Sequence, residues 1–191
     1  MKRQASTEPL VIMTIGHSTR LADEFVHLLK AHGVARLVDV RTIPRSRHNP
    51  QFNRDQLPRT LHSARIHYSH MPGLGGLRHA RPDSINGAWR NASFRGFADY
   101  MQTPEFQESL DDLIELAKRE QVAIMCAEAV PWRCHRSLIA DALLARGVEV
   151  REIASATATR LHSLTSFAHV NGTHVTYPTP SSAADRQPDL I

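Results

Sequence analysis

The sequence predicts an α/β fold, an open three-layer sandwich built on a mainly parallel sheet. Short apolar runs of the kind that form buried strands alternate with segments of helical periodicity. The first two such runs are joined by one helix within about 30 residues, the spacing of a βαβ unit. With 191 residues, 41% of them hydrophobic, the chain can build one core and little more.

The elements follow in order. Leu10–Ile15 (LVIMTI) reads as a strand that stops at Gly16-His17-Ser18-Thr19, where a turn and a helix cap are expected. Leu21, Phe25, Leu28 and Leu29 then recur at helical spacing, and Gly33 closes that helix. Arg36–Val40 is a second strand. From Arg41 to Gln102 the periodicity fades, and mostly loop is expected, with a short helix near Asp55–Ala64 and a strand near Ile66–His70. The aromatic residues Phe52, Tyr68, Trp89, Phe94, Phe97 and Tyr100 argue that this stretch is nevertheless ordered. Thr103-Pro104-Glu105 starts a helix with Phe106, Leu110, Leu113, Ile114 and Ala117 on its inner face. Val122–Met125 is a third strand ending at Cys126. Arg133–Arg146 is a helix closed by Gly147, and Val148–Ile153 is the last strand. Residues 8–168 therefore form a single α/β domain, and 169–191, rich in Ser, Thr and Pro, are expected to be a flexible tail.

Charge narrows the partners. Lys and Arg number 23 against 19 Asp and Glu, with 12 His, and the basic residues are mostly Arg, many of them between Arg36 and Arg95. Such a region attracts phosphates, nucleic acids and acidic small molecules. No run approaches the roughly 18–20 apolar residues that span a bilayer. The first ten residues carry no apolar signal region, and two cysteines make no disulfide framework, so a cytoplasmic protein without membrane contact is expected.

In an open parallel sheet, ligands bind at the carboxyl ends of the strands. The residues that follow each strand are thus the site candidates. The first strand is followed by His17 and Ser18; the second by Arg41, Arg45 and Ser46, with Asp39 placed to orient Arg41; the third by Cys126, Glu128, Arg133, Cys134, His135 and Arg136. Cys126 and Cys134 are candidate nucleophiles or metal ligands, and Glu128 and His17 candidate proton carriers. Ser18, Arg41, Arg45, Ser46, Tyr68, Arg133, His135 and Arg136 are candidate substrate-binding residues.

The stretch CAEAVPWRCHRS, Cys126 to Ser137, resembles the anion loop of rhodanese-like domains and cysteine phosphatases, with a thiol at a strand end and an arginine at a helix start. Its C-x6-R spacing is one residue longer than a phosphatase loop, and Glu128 and Pro131 intrude. Cys126, Cys134, His135, Glu128 and His17 also form a possible metal-ligand set, although the C-x2-C pairs of structural zinc sites are missing. Leu74-Gly75-Gly76 reads as a tight loop.

Ile15-Gly16-His17-Ser18-Thr19, Val38-Asp39-Val40-Arg41 with Pro44 and Ser46, Phe52, Tyr68, Leu74-Gly75-Gly76, Cys126-Ala127-Glu128 and Cys134-His135-Arg136 together resemble the domain-of-unknown-function 488 family, from about Val11 to Ile153. The resemblance implies a fold and a site more than a reaction. The expectation is an enzyme that binds a phosphate-bearing or other anionic substrate, with a nucleotide or damaged nucleic acid as candidates. The alternatives are a non-catalytic nucleic-acid-binding module and a metal- or redox-sensing protein; cofactor and metal are left open.

Overall fold

A computed structural model describes residues 9–180 of the chain. Five parallel strands and one antiparallel edge strand form the main sheet, in the order β3-β2-β4-β1-β5-β6. They are β1 Val11–Gly16, β2 Arg36–Asp39, β3 His67–His70, β4 Val122–Cys126, β5 Glu149–Ile153 and β6 Thr159–Leu161. The helices are α1 Ala22–Ala31, α2 Leu57–Ser63, α3 Ala92–Tyr100, α4 Pro104–Ala117 and α5 Arg136–Leu144.

The side-chain alternation of β4 divides the interior in two. Val122, Ile124 and Cys126 point into a core with Phe97, Phe106, Leu110 and Leu138, contributed by α3, α4 and α5. Ala123 and Met125 point the other way, onto Phe25 and Leu29 of α1 and Leu57 and Leu61 of α2. With apolar partners on both faces, β4 is buried along its whole length, which is why it reads as an unbroken apolar run. Helices thus cover both faces of the sheet, giving the expected three layers.

Connections leaving β1 and β2 run through α1 and α2 on one face; the one leaving β4 runs through α5 on the other. Chain paths therefore diverge between the neighbouring carboxyl ends of β1 and β4, the position at which an open sheet forms a crevice. Register keeps the strand ends level: Gly16 lies opposite Cys126, and Asp39 opposite Met125.

Several expectations change. The α1 N-cap is Leu21, without a side-chain cap, so Ser18 and Thr19 do not start the helix; Ser18 instead takes a positive φ of 48° in the turn. Arg133 lies in a single 3-10 turn, Pro131–Arg133, and α5 begins only at Arg136. The middle region contains α3, capped by the Asn91 side chain, which accepts from the Ser93 N–H at 2.8 Å. Residues 169–180 are not a loose tail. β7 His169–Asn171 and β8 His174–Thr176 form a hairpin, and Tyr177 is fully buried, its hydroxyl donating to Asp141 Oδ2 at 2.8 Å. The rest of the predicted tail, 181–191, lies outside the described residues.

Candidate functional site

The crevice at the strand ends opens into a cavity of about 450 Å³. Of the twelve residues singled out from the sequence, His17, Arg41, Arg45, Ser46, Cys126, Glu128, Arg133, Cys134 and His135 line it. Three do not. Tyr68 and Ser18 stand behind the wall, and Arg136 is threaded beneath it.

β1 and β4 continue to pair past their formal ends, through His17 N–H to Cys126 O at 3.0 Å and Ser18 N–H to Ala127 O at 2.9 Å. This close approach explains Gly16: a Cβ there would sit 1.8 Å from the Glu128 carbonyl oxygen. The loop is held from below by Arg136, fully buried, whose Nη2 donates to Glu128 O at 2.7 Å while Nη1 donates to Thr14 Oγ1 at 2.7 Å and to Glu152 Oε2 at 3.2 Å. Its expected substrate-binding role therefore becomes a structural one. Burial pushes the Glu152 carboxyl up to about 7, against the pull of the Arg136 guanidinium.

On the side of β2, Asp39 is fully buried and accepts four hydrogen bonds. They come from Arg41 N–H at 3.1 Å, Arg41 Nε at 2.9 Å, Arg41 Nη2 at 2.6 Å and the Tyr68 hydroxyl at 2.8 Å. Arg41 Nη2 also donates to Phe52 O at 2.6 Å. The guanidinium is thus aimed by a two-pronged carboxylate contact. Desolvation and the Asp39 charge raise the Tyr68 phenol, so Tyr68 is a neutral donor that positions Asp39.

His17 is 2% exposed and stacks on Phe52 at 4.3 Å between ring centroids. Its Nδ1–H donates to Ser18 O at 2.8 Å, and its Nε2 accepts from Arg41 Nη1 at 3.3 Å. Burial lowers its pKa to about 4 despite the Ser18 bond, so the ring is neutral near pH 7. With both nitrogens engaged, His17 supports Arg41, and the proton-carrier candidate that remains in the cavity is the exposed Glu128.

The thiols sit at the cavity floor. Cys126 ends β4, and Cys134 precedes the start of α5; Cys126 Sγ, Cys134 Sγ and a His135 ring nitrogen all lie within 4.8 Å of one another. His135 Nε2–H donates to Val40 O at 3.1 Å, which leaves the Nδ1 lone pair facing the sulfurs, 3.7 Å from Cys134 and 3.9 Å from Cys126. Hydrogen bonding from the Cys126 thiol holds Cys134 well below the usual thiol range, and the same contact, with burial, pushes Cys126 up.

Sequence reasoning named Gly76 in a tight loop and Phe97 among the ordering aromatics, but missed that both hold His135. Gly76 lies on its ring, where a Cβ would come 2.5 Å from Nδ1, and Phe97 meets it edge-on at 5.1 Å. A Cβ on Gly75 would come 2.5 Å from Thr42 Oγ1. The Leu74-Gly75-Gly76 loop therefore brings backbone against the site where no side chain fits. The cavity rim adds Thr42, Ile43, Leu77, Ser93 and Phe94. Ile43 is 65% and Leu77 69% exposed, a signal the sequence could offer only as two apolar residues inside loops. Trp89, by contrast, packs among Phe94, Phe167 and Tyr177.

The family described as Domain of unknown function DUF488 matches residues 21–143. No curated protein and no solved structure matches the chain.

Proposed function

Because the chain belongs to the DUF488 family, whose function its name leaves open, we propose from its own residues that it is an enzyme acting on a phosphate-bearing or otherwise anionic substrate. One observation carries this reading: the arginines at 41, 45 and 133 share a cavity with a buried thiol pair and the exposed carboxylate of Glu128. A surface that only neutralises a nucleic-acid backbone has no use for buried thiols beside a histidine whose tautomer is fixed.

Arg45 and Arg133, both exposed, hold the anion at the rim, and the fixed Arg41 reaches it from the floor. Ile43, Leu77 and Phe94 offer an apolar edge beside these charges, which suits a substrate with a flat apolar part and a negative group, as a nucleotide has. Glu128 moves the proton, and the Cys126–Cys134–His135 cluster is the reacting centre. The stretch from Cys126 to Arg136 keeps its likeness to the anion loops of rhodanese-like domains and cysteine phosphatases within this proposal, with Arg133 as the loop arginine.

The test is binding of nucleoside monophosphates and inorganic phosphate by the full chain, with turnover followed on the nucleotides alone. Saturable binding weakened at least tenfold by Arg45→Ala and Arg133→Ala is expected, with turnover abolished by Cys134→Ser and Glu128→Gln. Binding indifferent to both arginines, or turnover indifferent to Cys134 and Glu128, would overturn the reading.

A further inference from the structure

We infer that Cys126, Cys134 and His135 form a three-ligand site for a soft or borderline divalent cation of the zinc class, its fourth position facing the cavity. This inference rests on the proposed substrate cavity and specifies its reacting centre.

Three observations support it. The first is spacing. A tetrahedral zinc ion with bonds of about 2.3 Å to sulfur and about 2.0 Å to nitrogen holds its sulfur and nitrogen ligands roughly 3.6 Å apart. The two sulfur–nitrogen distances here are 3.7 and 3.9 Å. The two sulfurs also lie within the 4.8 Å that encloses the whole set.

The second is the state of the histidine. A metal-bound imidazole commonly donates its other N–H to a carbonyl or carboxylate, which fixes the tautomer and aims the lone pair. His135 Nε2–H donates to Val40 O, and Nδ1 is the free nitrogen on the side of both sulfurs. Gly76 packs against the ring and Phe97 meets its edge. The element that places each ligand is also rigid: Cys126 ends the most buried strand, and Cys134 closes the 3-10 turn Pro131–Arg133 by donating its N–H to Pro131 O at 2.9 Å.

The third is charge and access. Two thiolates and a neutral imidazole carry two negative charges, which a divalent cation cancels; its binding releases the thiol protons. Three protein ligands leave one position for water or substrate, the arrangement of catalytic rather than structural zinc sites. Both thiols and His135 line the cavity, as do Glu128 and Arg133, so that open position lies among the groups that would handle an anionic substrate and its proton.

Cobalt(II) is the probe. Full-length chain, reduced and stripped with a chelator, is titrated with Co²⁺ and followed by thiolate-to-cobalt charge-transfer absorption and by the visible bands of a four-coordinate ion. One equivalent is expected to bind, to be displaced by one equivalent of Zn²⁺, and to protect Cys126 and Cys134 from maleimide as read by mass spectrometry. Binding should fall at least tenfold in Cys134→Ser and His135→Ala and stay within twofold in Glu128→Gln and Arg133→Ala. The protection measurement needs only the unaltered chain, so it decides the matter even where a variant does not fold. Absence of charge-transfer absorption from the reduced protein, or cysteines equally reactive with and without Co²⁺, overturns the site; a Cys126–Cys134 disulfide formed in place of metal uptake does the same. Loss of the metal site with arginine-dependent phosphate binding intact leaves the proposed function standing. Metal uptake without any anion binding has the opposite meaning.

Discussion

Arg41 Nη1 donates to His17 Nε2 across 3.3 Å, and this contact ties the loop after β2 to the loop after β1. A neutral imidazole is the only form that accepts it. His17 is therefore expected to titrate at about 4, well below the ordinary 6.5, in an NMR pH titration. The lowered folded-state value means that the unfolded chain binds the proton first as pH falls. The stabilisation is present above pH 6.5 and is lost toward pH 4, about 3 kcal/mol over the window. A His17 resonance titrating near 6.5 would contradict the contact.

Glu152 works with the opposite sign. Its folded value, about 7, lies above the ordinary 4.5, so the folded state holds the proton longer. Its contribution is present below pH 4.5 and lost as pH rises through 7. Comparing the wild type with Glu152→Gln by thermal unfolding from pH 4.5 to 8 should show a variant whose stability curve is steeper upward, by roughly 2–3 kcal/mol across that window. Parallel curves would place Glu152 in ordinary solvent.

Asp39→Asn removes the only carboxylate facing the Arg41 guanidinium among the described residues. Leaving a buried charge uncompensated costs about 3–5 kcal/mol. Tyr68→Phe removes one of four bonds to the same carboxylate and should cost only about 1 kcal/mol in denaturant unfolding. Equal losses in the two variants would mean that Tyr68 and not Arg41 is the main partner of Asp39.

Gly76→Ala tests the packing on His135. The new Cβ would lie 2.5 Å from Nδ1 and 2.6 Å from Cγ, so the ring must shift, at a cost of about 1–3 kcal/mol. A shifted ring also weakens Co²⁺ uptake. Gly33→Ala meets no atom within 4 Å and suffers only from its φ of 66°, so it should leave cobalt affinity unchanged. Two variants with the same cobalt affinity would detach Gly76 from the site.

Tyr177→Ala should lower stability by about 3–5 kcal/mol, because the ring is fully buried among Trp89 and Phe167 and its hydroxyl serves Asp141. A neutral result in chemical denaturation would restore the tail reading of this segment.

The central strands were legible because burial on both faces leaves an unbroken apolar signal, and the residues following them were legible as site candidates for the same reason. The edges were not. β6, β7 and β8 are three-residue strands, mostly exposed, and carry no pattern that separates them from loop. α3 did have a signal, the Asn91 cap followed by Phe94, Phe97 and Met101, but Gly96 sits inside it and masks the helix. That glycine admits the backbone of residues 78–80, which a Cβ would meet at 2.6 Å. Arg136 shows a deeper limit. An arginine at a helix start reads the same in sequence whether it faces a ligand or, as here, braces a loop from beneath.

The central position of β1 bears on how this fold is delimited. The family match begins at residue 21 and ends at 143, so it contains neither β1 nor β5. A fragment trimmed to those limits would keep β3, β2 and β4 but leave β4, apolar along its whole length, as a raw unpaired margin. Such a fragment should self-associate instead of folding, and both flanks are needed before the two thiols acquire a floor to stand on.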